Sequence, residues 1–174
     1  MATSTVGVAI DIPEPWGAQL TQRRKEAGDP VAEYVPAHLT LLGPTEIDPG
    51  RFDQVETHLA AVAAASRPFP VLLRGTGTFR PVTEVVFVAV AAGIAECEQL
   101  AAAIREPDVL QREQRFPYHP HVTVAQQVPT AELDAVFEDL ADFTARFAVD
   151  GFTLFAHGPD GRWHPRRHFW LGRP

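Results

Sequence analysis

Two short stretches of the chain, AHLTLL and PHVTVA, share the pattern His-x-Thr-x with apolar residues in the x positions. Side chains of a β-strand alternate between its two faces, so residues i and i+2 point the same way. The pattern therefore predicts two strands that present His38 with Thr40, and His121 with Thr123, on one face. The apolar residues between and after them enter a core. Any fold for this chain must give both strands a buried face.

The rest of the chain repeats one plan around these strands. Each is followed by a Pro-containing loop, an amphipathic helix and a hairpin of aromatic and β-branched strands. The spacing predicts helices over 16–27, 48–65, 94–104 and 130–140, and strands over 5–11, 37–43, 69–79, 85–92, 120–125, 147–156 and 168–172. Asp48 and Thr130 fit helix N-caps. Residues 105–114 form a polar loop, and 158–161 (GPDG) predict a tight turn.

This repetition predicts an α+β fold in one domain, 1–174, with an internal duplication. We expect two lobes, built from repeats over about 30–92 and 115–174 and related by a pseudo-twofold axis. Antiparallel sheets would line a central groove. Such an axis would bring His38 and His121 together across that groove, however far apart they lie in sequence.

The composition excludes several classes of function. A net charge of −7 argues against broad binding along a polyanion, although it leaves room for a local phosphate pocket. No apolar run approaches the roughly 20 residues that span a bilayer, and the N-terminus lacks an export signal. The single cysteine, Cys97, lies in a helical pattern and is expected to be buried in a protein of the reducing cytoplasm. We expect a monomer without a membrane partner.

Two histidines suit acid–base chemistry because the ordinary pKa of imidazole, about 6.5, lies near neutral pH. Cleavage of a phosphodiester by in-line displacement needs a base and an acid on opposite sides of phosphorus. His38 and His121 on opposing strands fit that need, and the hydroxyls of Thr40 and Thr123 can donate to phosphate oxygens. This scheme requires no metal and no cofactor. A lone His-x-Thr is uninformative in a chain with seven histidines, whereas two at equivalent points of a repeat indicate catalysis.

With two His-x-Thr-x motifs in a duplicated α+β chain, the sequence resembles the two-histidine phosphoesterase superfamily. It is most similar to the 2′-5′ RNA ligase, or LigT-like, branch with its cyclic phosphodiesterases. The resemblance covers nearly the whole chain, and it rests on the opening strand, Trp16 and residues 35–42, 75–79 and 116–125. It implies a bilobal fold with an open groove and metal-independent hydrolysis of 2′,3′-cyclic phosphates on RNA ends or nucleotides. Reversible 2′-5′ ligation of RNA is a second activity that it implies.

The resemblance assigns His38 and His121 as the acid–base pair and Thr40 and Thr123 as phosphate ligands, without saying which histidine is the base. One position departs from the pattern of several LigT-like proteins, in which an arginine follows the second motif. Here that position holds Gln126. A neutral amide can still donate to phosphate, but the loss of a charge-assisted bond favours hydrolysis over ligation.

Several further residues are candidate substrate contacts. Tyr118 and Phe116 could stack on a base, with core packing an equal alternative for Phe116. Arg115 could meet a terminal phosphate or solvate a loop. His119 fits the rim of the groove better than a role in tuning His121. Residues 162–168 combine arginines with Trp163, which we interpret as a solvated hairpin loop in preference to a nucleic-acid contact.

Two other functions compete with the enzymatic one. A non-catalytic module that binds nucleotides or RNA ends could use the same groove, but binding does not require two titratable imidazoles. A metallo-hydrolase would need about three protein ligands, and no carboxylates lie near His38 or His121 at metal-ligand spacing. Glu46 and Asp48 are the nearest acids in sequence, and they fit a loop and a helix cap.

Overall fold

The structure is a computed structural model that describes residues 2–173. Within those residues the chain forms eight β-strands and four α-helices. The strands are β1 (Ser4–Asp11), β2 (His38–Ile47), β3 (Phe69–Thr78), β4 (Val85–Ala92), β5 (His121–Gln126), β6 (Thr144–Val149), β7 (Gly151–His157) and β8 (Trp163–Trp170). The helices are α1 (Trp16–Glu26), α2 (Phe52–Ala64), α3 (Ile94–Ile104) and α4 (Thr130–Asp139). The predicted α+β class is confirmed.

The strands form two four-stranded antiparallel sheets, one in the order β2-β1-β7-β8 and the other in the order β5-β4-β3-β6. The two orders are equivalent in their first two positions, where β2 lies beside β1 and β5 lies beside β4. Each His-x-Thr strand lies at a sheet edge, paired with the strand that precedes it across one helix. Asp11 of β1 lies opposite His38, and Ala89 of β4 lies opposite His121. The two motifs therefore occupy matching positions in the two halves.

The two sheets do not divide the chain by repeat. Strand β3, which follows the first motif and α2, pairs with β4 in the second sheet, and β7 from the end of the chain pairs with β1 in the first. Repeats over 30–92 and 115–174 therefore contribute to both lobes. In each sheet the strand that precedes the motif, β1 or β4, pairs with the motif strand and satisfies the backbone groups along one of its edges.

The predicted strand over 147–156 is two strands, which Asp150 separates. Strand β6 joins one sheet and β7 the other, so the chain changes sheets at this point. Gly151 starts β7 where a Cβ atom would collide with the His168 ring and the Phe169 carbonyl, which requires a residue without a side chain. The predicted turn over 158–161 is confirmed, with Gly161 at φ +79°. Strand β8 begins at Trp163, earlier than the predicted start at His168.

Strand β2 continues past its predicted end at Gly43 and Pro44 to Ile47. The register against β1 shifts between Val6 and Val8, which marks a bulge in the pairing. A bulge accommodates Pro44, which has no N–H to donate to the ladder, without ending the strand.

The two expected helix caps behave differently. Asp48 caps a short 3₁₀ turn, Pro49–Arg51, by accepting the N–H of Gly50 at 2.8 Å, and α2 starts directly after this turn. Thr130 does not cap α4: Pro129 holds the N-cap position, with no side-chain bond, and Thr130 is the first helical residue. Because Thr130 is already helical, its side chain does not occupy the N-cap position, from which it would accept a free N–H of the first turn.

The core lies against the inner faces of both sheets. Leu39, Leu41, Val122 and Val124, which alternate with the motif residues, are at most 1% exposed, as predicted. The predicted polar loop over 105–114 contains a 3₁₀ turn, Asp108–Leu110, whose last two residues are buried. Cys97 is fully buried, as expected. Among residues 2–173, no helix is long and apolar enough to cross a membrane.

Candidate active site

His38 and His121 make the same backbone hydrogen bond. Nδ1 of His38 lies 2.9 Å from the carbonyl oxygen of Pro36, and Nδ1 of His121 lies 2.7 Å from that of His119. A carbonyl can only accept, so Nδ1 carries the proton in both rings. Nε2 of each ring is then left to take a proton when the ring is neutral, or to give one when it is charged. In both rings a backbone carbonyl two residues before the histidine fixes this tautomer.

The fold brings the two motifs together. Strands β2 and β5 contact each other although they belong to different sheets. Tyr118, just before β5, donates its hydroxyl to the backbone carbonyl of Thr40 at 2.8 Å. A positive charge on His38 lowers the pKa of His121, so the two imidazoles lie within electrostatic range. The predicted juxtaposition of the two halves is present.

Two adjoining cavities form the groove. The smaller, of about 270 Å³, is lined by His38, Thr40 and Thr123 among others. The larger, of about 630 Å³, is lined by His121 and again by Thr40. Thr40, Leu42 and Gly43 line both, so the cavities meet along β2. One groove therefore reaches both histidines and both threonines, all four of which are half-buried.

Burial is the main reason that both histidines titrate below the ordinary value of about 6.5. For His38, burial lowers the pKa, the Pro36 carbonyl raises it, the charge of Arg24 lowers it and that of Asp11 raises it. For His121, burial lowers the pKa, the His119 carbonyl raises it, and the charges of His119 and His38 lower it. The neutral form of each ring is thus favoured in the groove.

The surroundings of His121 are aromatic. Its ring centroid lies 5.0 Å from that of Phe79 and 5.4 Å from that of Phe87, with the rings edge-on. The His119 ring is 5.6 Å away. These rings exclude water from one side of the imidazole and account for much of its burial.

The larger cavity collects four of the expected contacts, which are Arg115, Phe116, Tyr118 and His119. Phe116 is 53% exposed, so the alternative of core packing is wrong for it. Tyr118 packs partly against the core through its ring and bonds Thr40 through its hydroxyl. His119 lies exposed at the rim, as expected, and also lowers the pKa of His121.

Two further arginines, Arg105 and Arg112, line the same cavity. The sequence offers one signal for them, since both lie in the predicted polar loop over 105–114. Together with Arg115 they concentrate positive charge in a chain whose net charge is −7.

The smaller cavity holds Gln126, as predicted, and three residues for which the sequence gives little warning: Arg24, Phe155 and Trp163. Trp163 is half-buried, and its indole packs against Gly7, which has no side chain to occupy that space. The interpretation of residues 162–168 as a solvated loop is therefore wrong for Trp163, because β8 begins there and turns the indole toward the groove.

Among residues 2–173, no three His, Cys, Asp or Glu side chains are placed to hold a metal ion together. The groove that contains both histidines is built from hydroxyl, imidazole, guanidinium, amide and aromatic groups, with Asp11 and Glu113 at its walls.

Comparison with known proteins assigns the chain to a family. The model of the 2′-5′ RNA ligase superfamily matches residues 12–161. The chain belongs to this superfamily. Two bacterial relatives, both assigned provisionally to the phosphoesterases by name, come from Bacillus cytotoxicus and Oceanobacillus iheyensis. The first is 27% identical over 149 residues, which cover 83% of this chain and 84% of the relative. The second is 28% identical over 126 residues, or 72% and 69% of the two chains.

Solved structures show the same fold. E. coli LigT, crystallised with NADP+, is 23% identical, with a TM-score of 0.69 over 99% of this chain and 100% of LigT. TT0787 of Thermus thermophilus is 24% identical, with a TM-score of 0.69 over 97% and 98% of the two chains. The superfamily and the relatives make this chain a phosphoesterase-type protein, and the expected LigT-like fold is confirmed.

Proposed function

We propose that this protein hydrolyses 2′,3′-cyclic phosphates, on RNA ends or on nucleotides, with His38 and His121 as acid and base. One observation carries the proposal: both histidines fix Nδ1 on a backbone carbonyl and line one groove together with both motif threonines. A binding module would need the donors of this groove but not two matched imidazoles of lowered pKa.

The reaction requires one proton to be taken and one to be given. One neutral histidine accepts a proton from water as its oxygen bonds to phosphorus. The other, protonated at Nε2, gives its proton to the ribose oxygen whose bond to phosphorus breaks, which leaves a phosphate monoester. The hydroxyls of Thr40 and Thr123 donate to the non-bridging oxygens, where negative charge grows. An RNA hydroxyl in place of water would give ligation by the same proton transfers.

The rest of the groove fits a nucleotide. Trp163 and Phe155 beside His38 offer an aromatic wall for a base. The three arginines of the larger cavity offer contacts for phosphates of an RNA chain. Structures of E. coli LigT with 3′-AMP and with phosphate add support, since both ligands share the chemistry of the proposed product.

The test is turnover of 2′,3′-cyclic AMP, and of an oligonucleotide that ends in a 2′,3′-cyclic phosphate, in the presence of EDTA. We expect His38→Ala and His121→Ala each to lower kcat/KM by about 10²- to 10⁴-fold, the usual contribution of a general acid or base. His164→Ala serves as the matched control because His164 is exposed and pairs with Asp160 outside the groove.

Three results would contradict the proposal: no turnover of either substrate by the wild type, turnover that survives both substitutions, or turnover that EDTA abolishes. Tight binding of the cyclic nucleotide without turnover would support the non-catalytic module instead. The ratio of kcat/KM for the oligonucleotide and the mononucleotide reports whether the arginine-lined cavity contributes.

A further inference from the structure

Arg24 is a buried arginine at the wall of the smaller cavity. It lies four residues after Leu20, on the face of α1 that enters the core. Its side chain is only 5% exposed, and it is the only lysine or arginine among the described residues that line this cavity. Arginine is rarely buried so fully without a partner or a ligand.

Asp29 fixes the orientation of Arg24. The fully buried carboxylate accepts from Nε of Arg24 at 2.6 Å, from the N–H of Val31 at 2.9 Å and from the N–H of Gln126 at 3.1 Å. Asp29 thus ties α1 to the end of β5, just past the second motif. Backbone donors share the negative charge of this carboxylate, so the ion pair leaves the cavity wall with positive character.

The guanidinium retains hydrogen-bonding capacity. Arginine has five N–H donors, and within residues 2–173 only Nε of Arg24 makes a hydrogen bond, the one to Asp29. Its charge also reaches the motif, since it lowers the pKa of His38. A rigid cation with unused donors therefore lies within electrostatic range of His38, one member of the proposed acid–base pair.

We propose that Arg24 binds the phosphate group itself, as a catalytic residue that donates to a non-bridging oxygen in substrate and transition state. This inference rests on the proposed function and deepens it. The cyclic phosphate would lie between the two motif hydroxyls with the guanidinium at its side, while Gln126 supplies no charge at the end of β5. Positive charge at that point neutralises the charge that develops on phosphorus oxygens.

The first measurement uses the unaltered protein. In ¹⁵N-labelled wild type, titration with inorganic phosphate should shift the side-chain Nε signal of Arg24, assigned by its loss in Arg24→Lys. The Nε signal of Arg23, which pairs with Asp139 at 2.8 Å on the protein surface, should stay in place. Phosphate that moves the signals of the two histidines but leaves that of Arg24 unchanged would overturn the inference.

The second measurement compares variants. Arg24→Gln should weaken phosphate binding and lower kcat/KM for 2′,3′-cyclic AMP by about 10- to 100-fold, the usual effect of one hydrogen bond to a charged group. Arg24→Lys should retain part of the affinity, because it keeps the charge and loses the planar fork. Arg23→Gln, one residue away, should leave both values at the wild-type level.

Arg24→Gln leaves a buried carboxylate without its cation and could unfold the protein. The double variant Arg24→Gln/Asp29→Asn removes both charges and serves in its place, with the same loss expected. A folded variant that binds phosphate and turns over substrate like the wild type would overturn the inference. Wild type that hydrolyses no cyclic phosphate, yet shifts the Arg24 signal with phosphate, would refute the proposed function and leave the anion site standing.

Discussion

The two His-x-Thr sites are alike in backbone and unlike in surroundings. In both, the histidine starts an edge strand and bonds through Nδ1 to the carbonyl two residues before it. Around His38 the neighbours are charged, with Asp11 opposite it on β1 and Arg24 within electrostatic range. Around His121 they are aromatic, with Phe79 and Phe87 edge-on to its ring.

This contrast shows which features the two halves must share. A carbonyl on Nδ1 presents Nε2 to the groove, and the proposed proton transfers need that in both halves. The neighbouring side chains decide how readily each ring takes a proton, and an acid and a base do not need the same value. The duplicated backbone therefore supplies the geometry, while residues outside the motifs make the two histidines different.

The largest effect in this comparison is expected at the two threonines. Thr40→Val and Thr123→Val each remove one donor to phosphate, so we expect kcat/KM for 2′,3′-cyclic AMP to fall by about 10- to 100-fold. Thr144→Val, at the exposed start of β6, is the matched control. A loss at only one threonine would show that the two halves do not hold phosphate equally.

Tyr118→Phe tests the contact between the halves. It removes the hydroxyl that bonds the Thr40 carbonyl at 2.8 Å, and leaves that carbonyl without this partner. We expect the free energy of unfolding to fall by about 1–3 kcal/mol, as measured in urea. An unchanged unfolding midpoint would mean that the contact does not help to hold the motifs together.

The histidines of both halves should make the stability of the protein depend on pH in the same direction. Folding lowers the pKa of both histidines, so the unfolded chain binds protons more readily than the folded chain. Stability is therefore complete above about pH 6.5, where unfolded imidazole is neutral, and is lost as the pH falls through the lowered values. Urea unfolding at pH 7.5 and 5.5 should show this decrease, and His38→Ala or His121→Ala should reduce it. A decrease of the same size in both variants and in wild type would contradict the account.

The smallest expected effect is a change in the pKa of His121 alone, which distinguishes the two sites directly. Phe87→Leu removes an aromatic ring from one side of His121, so less water is excluded and the pKa of His121 should rise toward its ordinary value. The pKa of His38 should not change. NMR titration of both imidazoles measures the two values in one sample, and equal shifts would mean that the rings do not act locally.

The sequence predicts those features that depend on local patterns. Alternation in the two motifs correctly places Leu39 and Val122 in the core, and helical spacing gives α3 its observed ends. Pairing between distant strands leaves no such local trace. The change of sheet at Asp150 depends on which strands are already paired, so the pattern over 147–156 is interpreted as one strand.

The residues of the site likewise divide into those that local patterns predict and those that depend on tertiary contacts. His38, Thr40, His121 and Thr123 are found from spacing alone because strand alternation fixes their common face. Arg24 enters the groove through α1, whose sequence gives no hint that Asp29 and β5 complete its surroundings. Tertiary contacts of this kind are visible only once the fold is known.

The proposed function requires that His38 and His121 act as one acid–base unit on one phosphate group. A double-mutant cycle on kcat/KM for 2′,3′-cyclic AMP tests it directly, since groups that act in one step lose activity non-additively. If they do, the variant with both His38→Ala and His121→Ala should be about as slow as either single variant. Losses that multiply in the double variant would show that the histidines act independently, and would contradict the account.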